Sequence, residues 1–211
     1  MTAPRKLLPV IGFGIGGFAV ILQFFLTVTS RMDAGDRLFE ALTFFFSFFT
    51  ILTNIAAFFV YAAHLFPGRF AFFASPLVCG TIAVAIAVVG LVYETVLASI
   101  WQPQGLFWLC DTLLHYIAPV VYVAWWLTGG RNGKLAYADI PKMLAFPLIY
   151  CAYAVARGLL TDKYAYPFLK VDTLGAGRVL INCVLVAALF LAFSLAAITY
   201  DRKVAVPPSS R

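Results

Sequence analysis

Thr50 lies in the apolar stretch FFSFFTILTNIAAFF, and His115 in CDTLLHYIAPVVYVAWW. A polar side chain is costly in lipid and is kept where it has a partner or a task. A hydroxyl beside an imidazole is the minimum set for nucleophilic acyl transfer. The imidazole takes the proton and the oxygen attacks a carbonyl carbon. Asp111 stands four residues before His115, on the same helix face. A carboxylate there can accept a hydrogen bond from one ring nitrogen and fix the tautomer, leaving the other nitrogen as base. Each residue also has a plainer reading. A Thr in a membrane helix commonly bonds the carbonyl one turn back, a lone His can bridge two helices, and an Asp at a helix start suits the dipole. Thr43, Ser47 and Thr53 are rival hydroxyls in the same stretch, and spacing does not choose among them.

The elements that must position these groups are membrane helices. Of 211 residues, 63% are hydrophobic and only 11% charged, a balance foreign to soluble domains. Long apolar runs predict an all-α, polytopic membrane protein with a single domain over 1–211. Six spans are read, at about 7–29, 39–65, 76–100, 107–127, 141–160 and 178–200, each near the ~20 residues a bilayer requires. The first follows Arg5 and Lys6, as a signal peptide would, but is too long for one and reads as a retained span. Gly12, Gly14, Gly16 and Gly17 allow close helix approach along it, within or between chains, which leaves a homo-oligomer open. The net charge of +6 comes from Lys and Arg scattered at span ends, as interfacial anchors, so no nucleic-acid partner is expected. Cys79, Cys110, Cys151 and Cys183 fall in or beside different runs, without the clustering of a disulfide framework or zinc site. No metal and no cofactor are expected.

Six spans put both termini on one side. That side carries Arg5, Lys6, Arg69, Arg131, Lys134, Lys142, Arg202, Lys203 and Arg211, and the other Arg31, Arg37, Arg157, Lys163, Lys170 and Arg178. The excess places both termini in the cytoplasm. Thr50 is then roughly 15 Å and His115 roughly 12 Å from the outer face, at about 1.5 Å per residue. Glu94, roughly 9 Å deep on the same arithmetic, falls in the outer half with Asp111, Arg157, Arg178 and Asn182. His64 sits at the inner boundary. This segregation predicts a polar chamber beneath one leaflet, with Arg157 and Arg178 as snorkelling anchors for which Glu94 or Asp172 are partners.

Three stretches resemble a known family. Phe48-Phe49-Thr50 gives an aromatic approach to a Thr in the second span, and His115 with Pro119 places a His a turn before a Pro in the fourth. Tyr166-Pro167-Phe168-Leu169 and Gly175-Ala176-Gly177-Arg178 precede the last span. In these features the chain resembles the androgen-induced protein family of intramembrane threonine hydrolases, which cleave fatty-acid esters of hydroxy fatty acids. The resemblance implies that Thr50 is the nucleophile and His115 its base, with a membrane lipid as substrate and a bacterial plasma membrane as location. The chain departs from the animal enzymes in a His-to-Pro spacing one residue shorter, and in Thr53-Asn54 where they carry an acidic residue. Asn54 and then Arg178 are the expected oxyanion donors, with Tyr166 in a lid. The alternatives are a proton-coupled carrier using Glu94, Asp111 and His115, a lipid-binding or scaffold protein, and a haem or quinone protein. The separation of His64 from His115 disfavours paired axial ligation of a haem.

Overall fold

The computed structural model describes residues 3–203, and every regular element among them is helical. In chain order these are α1 (Ala3–Asp33), α2 (Leu38–Phe45), α3 (Phe49–Leu65), α4 (Pro76–Val92), α5 (Gly105–Thr112), α6 (Ala118–Trp125), α7 (Ile140–Thr161), α8 (Val171–Leu174) and α9 (Ala176–Asp201). Wider, π-type turns prolong α4 (Tyr93–Leu97), join α5 to α6 (Leu113–Ile117) and prolong α6 (Trp126–Gly130). Two short 3₁₀ turns, Tyr137–Asp139 and Pro167–Leu169, complete the helical set. Arg211 and the Pro/Ser tail lie outside the described residues.

Five stretches are long and apolar enough to cross a bilayer: Leu7–Asp33, Pro76–Leu97, Gly105–Gly130, Tyr137–Thr161 and Ala176–Asp201. The pair α2 and α3 passes the same test together, which makes a sixth if it counts as one span. Large apolar side chains such as Leu160, Phe39 and Val120 stand bare on the outside of the bundle. Such a surface needs lipid rather than water against it, and the chain is an integral membrane protein.

The expected second span over 39–65 is corrected: it is two helices meeting at 74°. No Gly or Pro marks the break at Phe46-Ser47-Phe48. Its backbone is satisfied by side chains instead. Ser47 Oγ donates to the Phe44 carbonyl at 2.6 Å, and the Tyr150 hydroxyl on α7 donates to the Ser47 carbonyl at 2.7 Å. Irregular backbone at membrane depth is tolerated only where protein covers it, and Ser47 is fully buried. Tyr150→Phe is therefore expected to strand the Ser47 carbonyl and cost about 1–3 kcal/mol. A lowered thermal midpoint of the detergent-solubilised protein checks this, and an unchanged midpoint contradicts it.

Helix α4 runs through the middle of the bundle, packed on α3, α6 and α9. It is apolar on all sides, as a helix without a solvent face must be, and Val84, Ala85, Ile86 and Val88 are buried. Helix α1 lies against α3 at Gly12 and Gly17, where any side chain would run into the rings of Tyr61 and Phe58. A Cβ at Gly14 or Gly16 would meet nothing within 4 Å, so a glycine is required for close approach at two of the four positions of the run. The four cysteines are free thiols, and Cys151 of α7 meets Cys183 of α9 with sulfurs 2.9 Å apart. At the end of the bundle remote from α2, Tyr61 packs on Tyr122 and Trp125 at centroid distances of 5.3 and 5.2 Å. His64 donates to the Val60 carbonyl at 2.8 Å and sits edge-on to Trp125, a packing role.

Candidate active site

The break before α3 brings a helix N-terminus into the bundle, and Thr50 occupies its first turn. Thr50 Oγ1 stands 3.3 Å from His115 Nε2. The other ring nitrogen, Nδ1, faces two acceptors on Asp111: the main-chain carbonyl at 3.0 Å and carboxylate Oδ1 at 3.2 Å. Both can only accept from it, so Nδ1 carries the hydrogen and Nε2 presents its lone pair to the Thr50 hydroxyl. Asp111 is buried, and its Oδ2 accepts a hydrogen bond from the Tyr93 hydroxyl. The Tyr93 ring lies flat on the imidazole, 3.9 Å between centroids and 17° between planes. The ring is thus fixed in both tilt and tautomer.

Local chain chemistry explains the placement. Pro119 has no N–H to give the His115 carbonyl four residues back, and the π-type turn Leu113–Ile117 falls at that point. Tyr93 begins a second such turn. Turns of this kind recur at functional sites because they re-aim side chains. Gly90 of α4 faces the His115 carbonyl, where a Cβ would stand 3.1 Å from the oxygen. Among the rival hydroxyls, Thr43 donates to Glu40 O at 2.9 Å and Ser47 to Phe44 O. Thr53 is fully buried with no hydrogen-bond partner. Thr50 alone of the four meets the imidazole.

The loop before α9 closes over this pair. The Tyr166 hydroxyl accepts from the Thr50 N–H at 3.4 Å and lies 3.5 Å from Thr50 Oγ1. Burial pushes the Tyr166 hydroxyl pKa up, so it stays protonated and able to donate. Its ring stacks on Phe168 and meets Phe48 edge-on. A phenol proton and a first-turn N–H at the positive end of α3 thus converge beside the Thr50 oxygen. Both are donors of the kind that stabilise an oxyanion.

Thr50, His115, Asp111 and Tyr93 line a cavity of about 970 Å³. Phe44, Phe45, Ile51 and Phe107 make apolar walls, and Arg31, Gln104, Lys163 and Lys170 also border it. Asp36 ties this rim together, accepting from Arg31 Nε at 2.6 Å and Lys163 Nζ at 3.0 Å. Chiefly through the Lys163 hydrogen bond, the Asp36 carboxyl is held below its ordinary range despite some desolvation. A lowered folded-state pKa means that the tie is intact above the ordinary carboxylate value. It is lost as pH falls through the folded one. The tie is therefore intact throughout the neutral range.

Other expected site residues are placed differently. Asn54 gives its amide hydrogens to the Thr50 and Leu114 carbonyls at 2.8 and 3.3 Å, so it ties α3 to the His115 turn and has no donor left for an oxyanion. Arg178 is exposed at the start of α9 and does not line the cavity. Glu94 is exposed, accepts from the Tyr116 hydroxyl at 2.7 Å and also lies outside the cavity lining. Asn182 donates to the Phe168 carbonyl at 2.8 Å and anchors the Tyr166 loop rather than lining the chamber. Arg157 donates to the Lys163 carbonyl instead of pairing with Glu94 or Asp172. Tyr93 and Tyr150 were not foreseen. Their only signal is a phenol within an apolar span, where an O–H must find a partner.

Among the described residues no group of three or more His, Cys, Asp or Glu is arranged to hold a metal ion. Comparison with family models, curated proteins and solved structures gave no match.

Proposed function

We propose that this chain is an intramembrane lipid-ester hydrolase with a threonine nucleophile. One observation carries the reading: Thr50 Oγ1 lies 3.3 Å from a His115 nitrogen whose opposite nitrogen is held by Asp111, in the wall of a large amphipathic cavity. In the forward step His115 Nε2 takes the Thr50 proton as Oγ1 bonds to the ester carbonyl carbon. Asp111 steadies the imidazolium. Tyr166 O–H and Thr50 N–H, which now bond each other, turn to the oxyanion. The carbon–oxygen bond to the alcohol then breaks and His115 hands that alcohol its proton, leaving an acyl-threonine. Water attacks the acyl carbon, gives its proton to His115, and frees the acid as the proton returns to Thr50.

The resemblance to the androgen-induced protein family supports the same roles and proposes fatty-acid esters of hydroxy fatty acids as a substrate class. In this reading α2 and α3 form one broken span, giving six crossings with both termini cytoplasmic in a bacterial plasma membrane. A carrier needs a polar route through the bundle, and the packed Tyr61, Tyr122 and Trp125 favour the hydrolase instead.

Purified protein in phosphatidylcholine vesicles tests the reading. Release of free acid from an added aryl or hydroxy-fatty-acid ester is expected, without proton flux. Flux without ester cleavage contradicts it. Tyr166→Phe keeps both ring contacts and removes only the hydroxyl. It is expected to lower kcat about 10²-fold, the scale of one oxyanion donor, with little change in KM. An unchanged kcat would remove Tyr166 from the chemistry.

A further inference from the structure

A second, smaller cavity of about 70 Å³ lies on the other side of Thr50, between α3, α4, α7 and α9. Thr50, Tyr93, Leu97 and Tyr166 belong to both cavities and form the partition. The second cavity is otherwise bounded almost wholly by apolar side chains, with Val88, Val92, Val186 and Phe190 among them. His115 borders the large cavity and not the small one.

We infer that the small cavity is the acyl-chain slot of the enzyme and that it limits the acid arm of the ester to a short chain. The inference rests on the hydrolase reading and deepens it. Direction follows from proton transfer. The group that hands a proton to the departing alcohol must stand beside the alcohol oxygen, and His115 stands in the large cavity. The alcohol arm therefore leaves through the large cavity. The acyl carbon is bonded to Thr50 at the partition, so its chain extends to the other side. The attacking water then reaches the acyl carbon from the His115 side, which the departed alcohol has emptied. No protein group in the slot has to move a proton, in keeping with its apolar wall.

Size sets the limit. A cavity needs about 10–15 Å³ to admit one water-sized group, and the slot exceeds that only several-fold, against about 970 Å³ for the large cavity. A methylene is of similar size to a water, so a short acyl chain fills the space. Longer chains meet Phe190, which is buried and braced edge-on by Phe49. Val186 on α9 borders the slot and is only half-buried. Its size can be changed without opening the core.

The test is a series of p-nitrophenyl esters (acetyl, hexanoyl, dodecanoyl and palmitoyl) offered to the full chain in detergent micelles. For wild type, kcat/KM is expected to peak at hexanoyl and to fall at least about 10-fold by palmitoyl, the scale on which apolar pockets discriminate. Val186→Phe should lower the hexanoyl-to-acetyl ratio about 10-fold. Val186→Ala, a milder change that keeps the fold if the larger side chain does not, should raise the dodecanoyl-to-hexanoyl ratio. Cleavage at every length with no discrimination, or ratios unmoved in both variants, overturns the slot and leaves the hydrolase standing. No cleavage of any ester by folded protein overturns both.

Discussion

Thr50→Ala is expected to abolish ester cleavage, with kcat/KM reduced at least about 10³-fold, because the oxygen that forms the covalent intermediate is gone. The fold should survive. The substitution removes a small side chain whose hydroxyl meets only His115 and Tyr166, and it leaves the Asn54 bond to the Thr50 carbonyl in place. Asn54, Tyr150 and the Ser47 turn still fix the start of α3. Cleavage by the variant at the wild-type rate would assign the chemistry to another group. Ser47 and Thr53 are the nearest rivals in sequence; Ser47 donates to the Phe44 carbonyl and both are sealed in the core. A matching thermal midpoint for the two proteins separates lost chemistry from lost folding.

Asp111→Asn is the second large effect. An amide in place of the carboxylate can turn a donor toward Nδ1 and favour the tautomer with the proton on Nε2. In that tautomer the imidazole cannot take the Thr50 proton. The corresponding change in a Ser-His-Asp protease costs about 10⁴. A smaller loss, about 10²-fold, is expected here. The Asp111 main-chain carbonyl also accepts from Nδ1, at 3.0 Å, and survives the substitution. It holds the working tautomer for part of the population, although the buried charge that steadied the imidazolium is gone. Steady-state kinetics on hexanoyl ester check this. A loss as large as that of Thr50→Ala would mean that the main-chain bond does not hold the ring.

The helices were legible in the sequence because hydropathy reports length and depth directly. Agreement of depth brought the second and fourth spans' polar groups to one layer, and the i, i+4 spacing put Asp111 and His115 on a shared face, but only the family resemblance singled out Thr50 from Thr43, Ser47 and Thr53. Azimuth was not legible. Depth advances by about 1.5 Å per residue while direction turns by about 100°, so depth alone could not tell that Glu94 and Arg178 stay out of the cavity lining. The π-type turns add a residue to a helical turn; Pro119 in LLHYIAP marks one of them, and nothing in LVYETVL announces the other. The break at Ser47 was hidden because it is held by Tyr150, 103 residues away in sequence, and not by a local Gly or Pro. Asn54 was visible as a polar group in a span. Its use as a tie between helices depends on the Leu114 carbonyl, which belongs to another span.

What everything else requires is that Thr50 be the activated hydroxyl and His115 its base. A fluorophosphonate, which bonds covalently to activated hydroxyls, reports this directly. Treated protein is digested and the modified peptide sequenced by mass spectrometry. The expected result is a single phosphonyl adduct on Thr50, lost in His115→Ala, with inhibition tracking its formation. Full inhibition with the adduct on another residue, or labelling of Thr50 undiminished when His115 is removed, would contradict it.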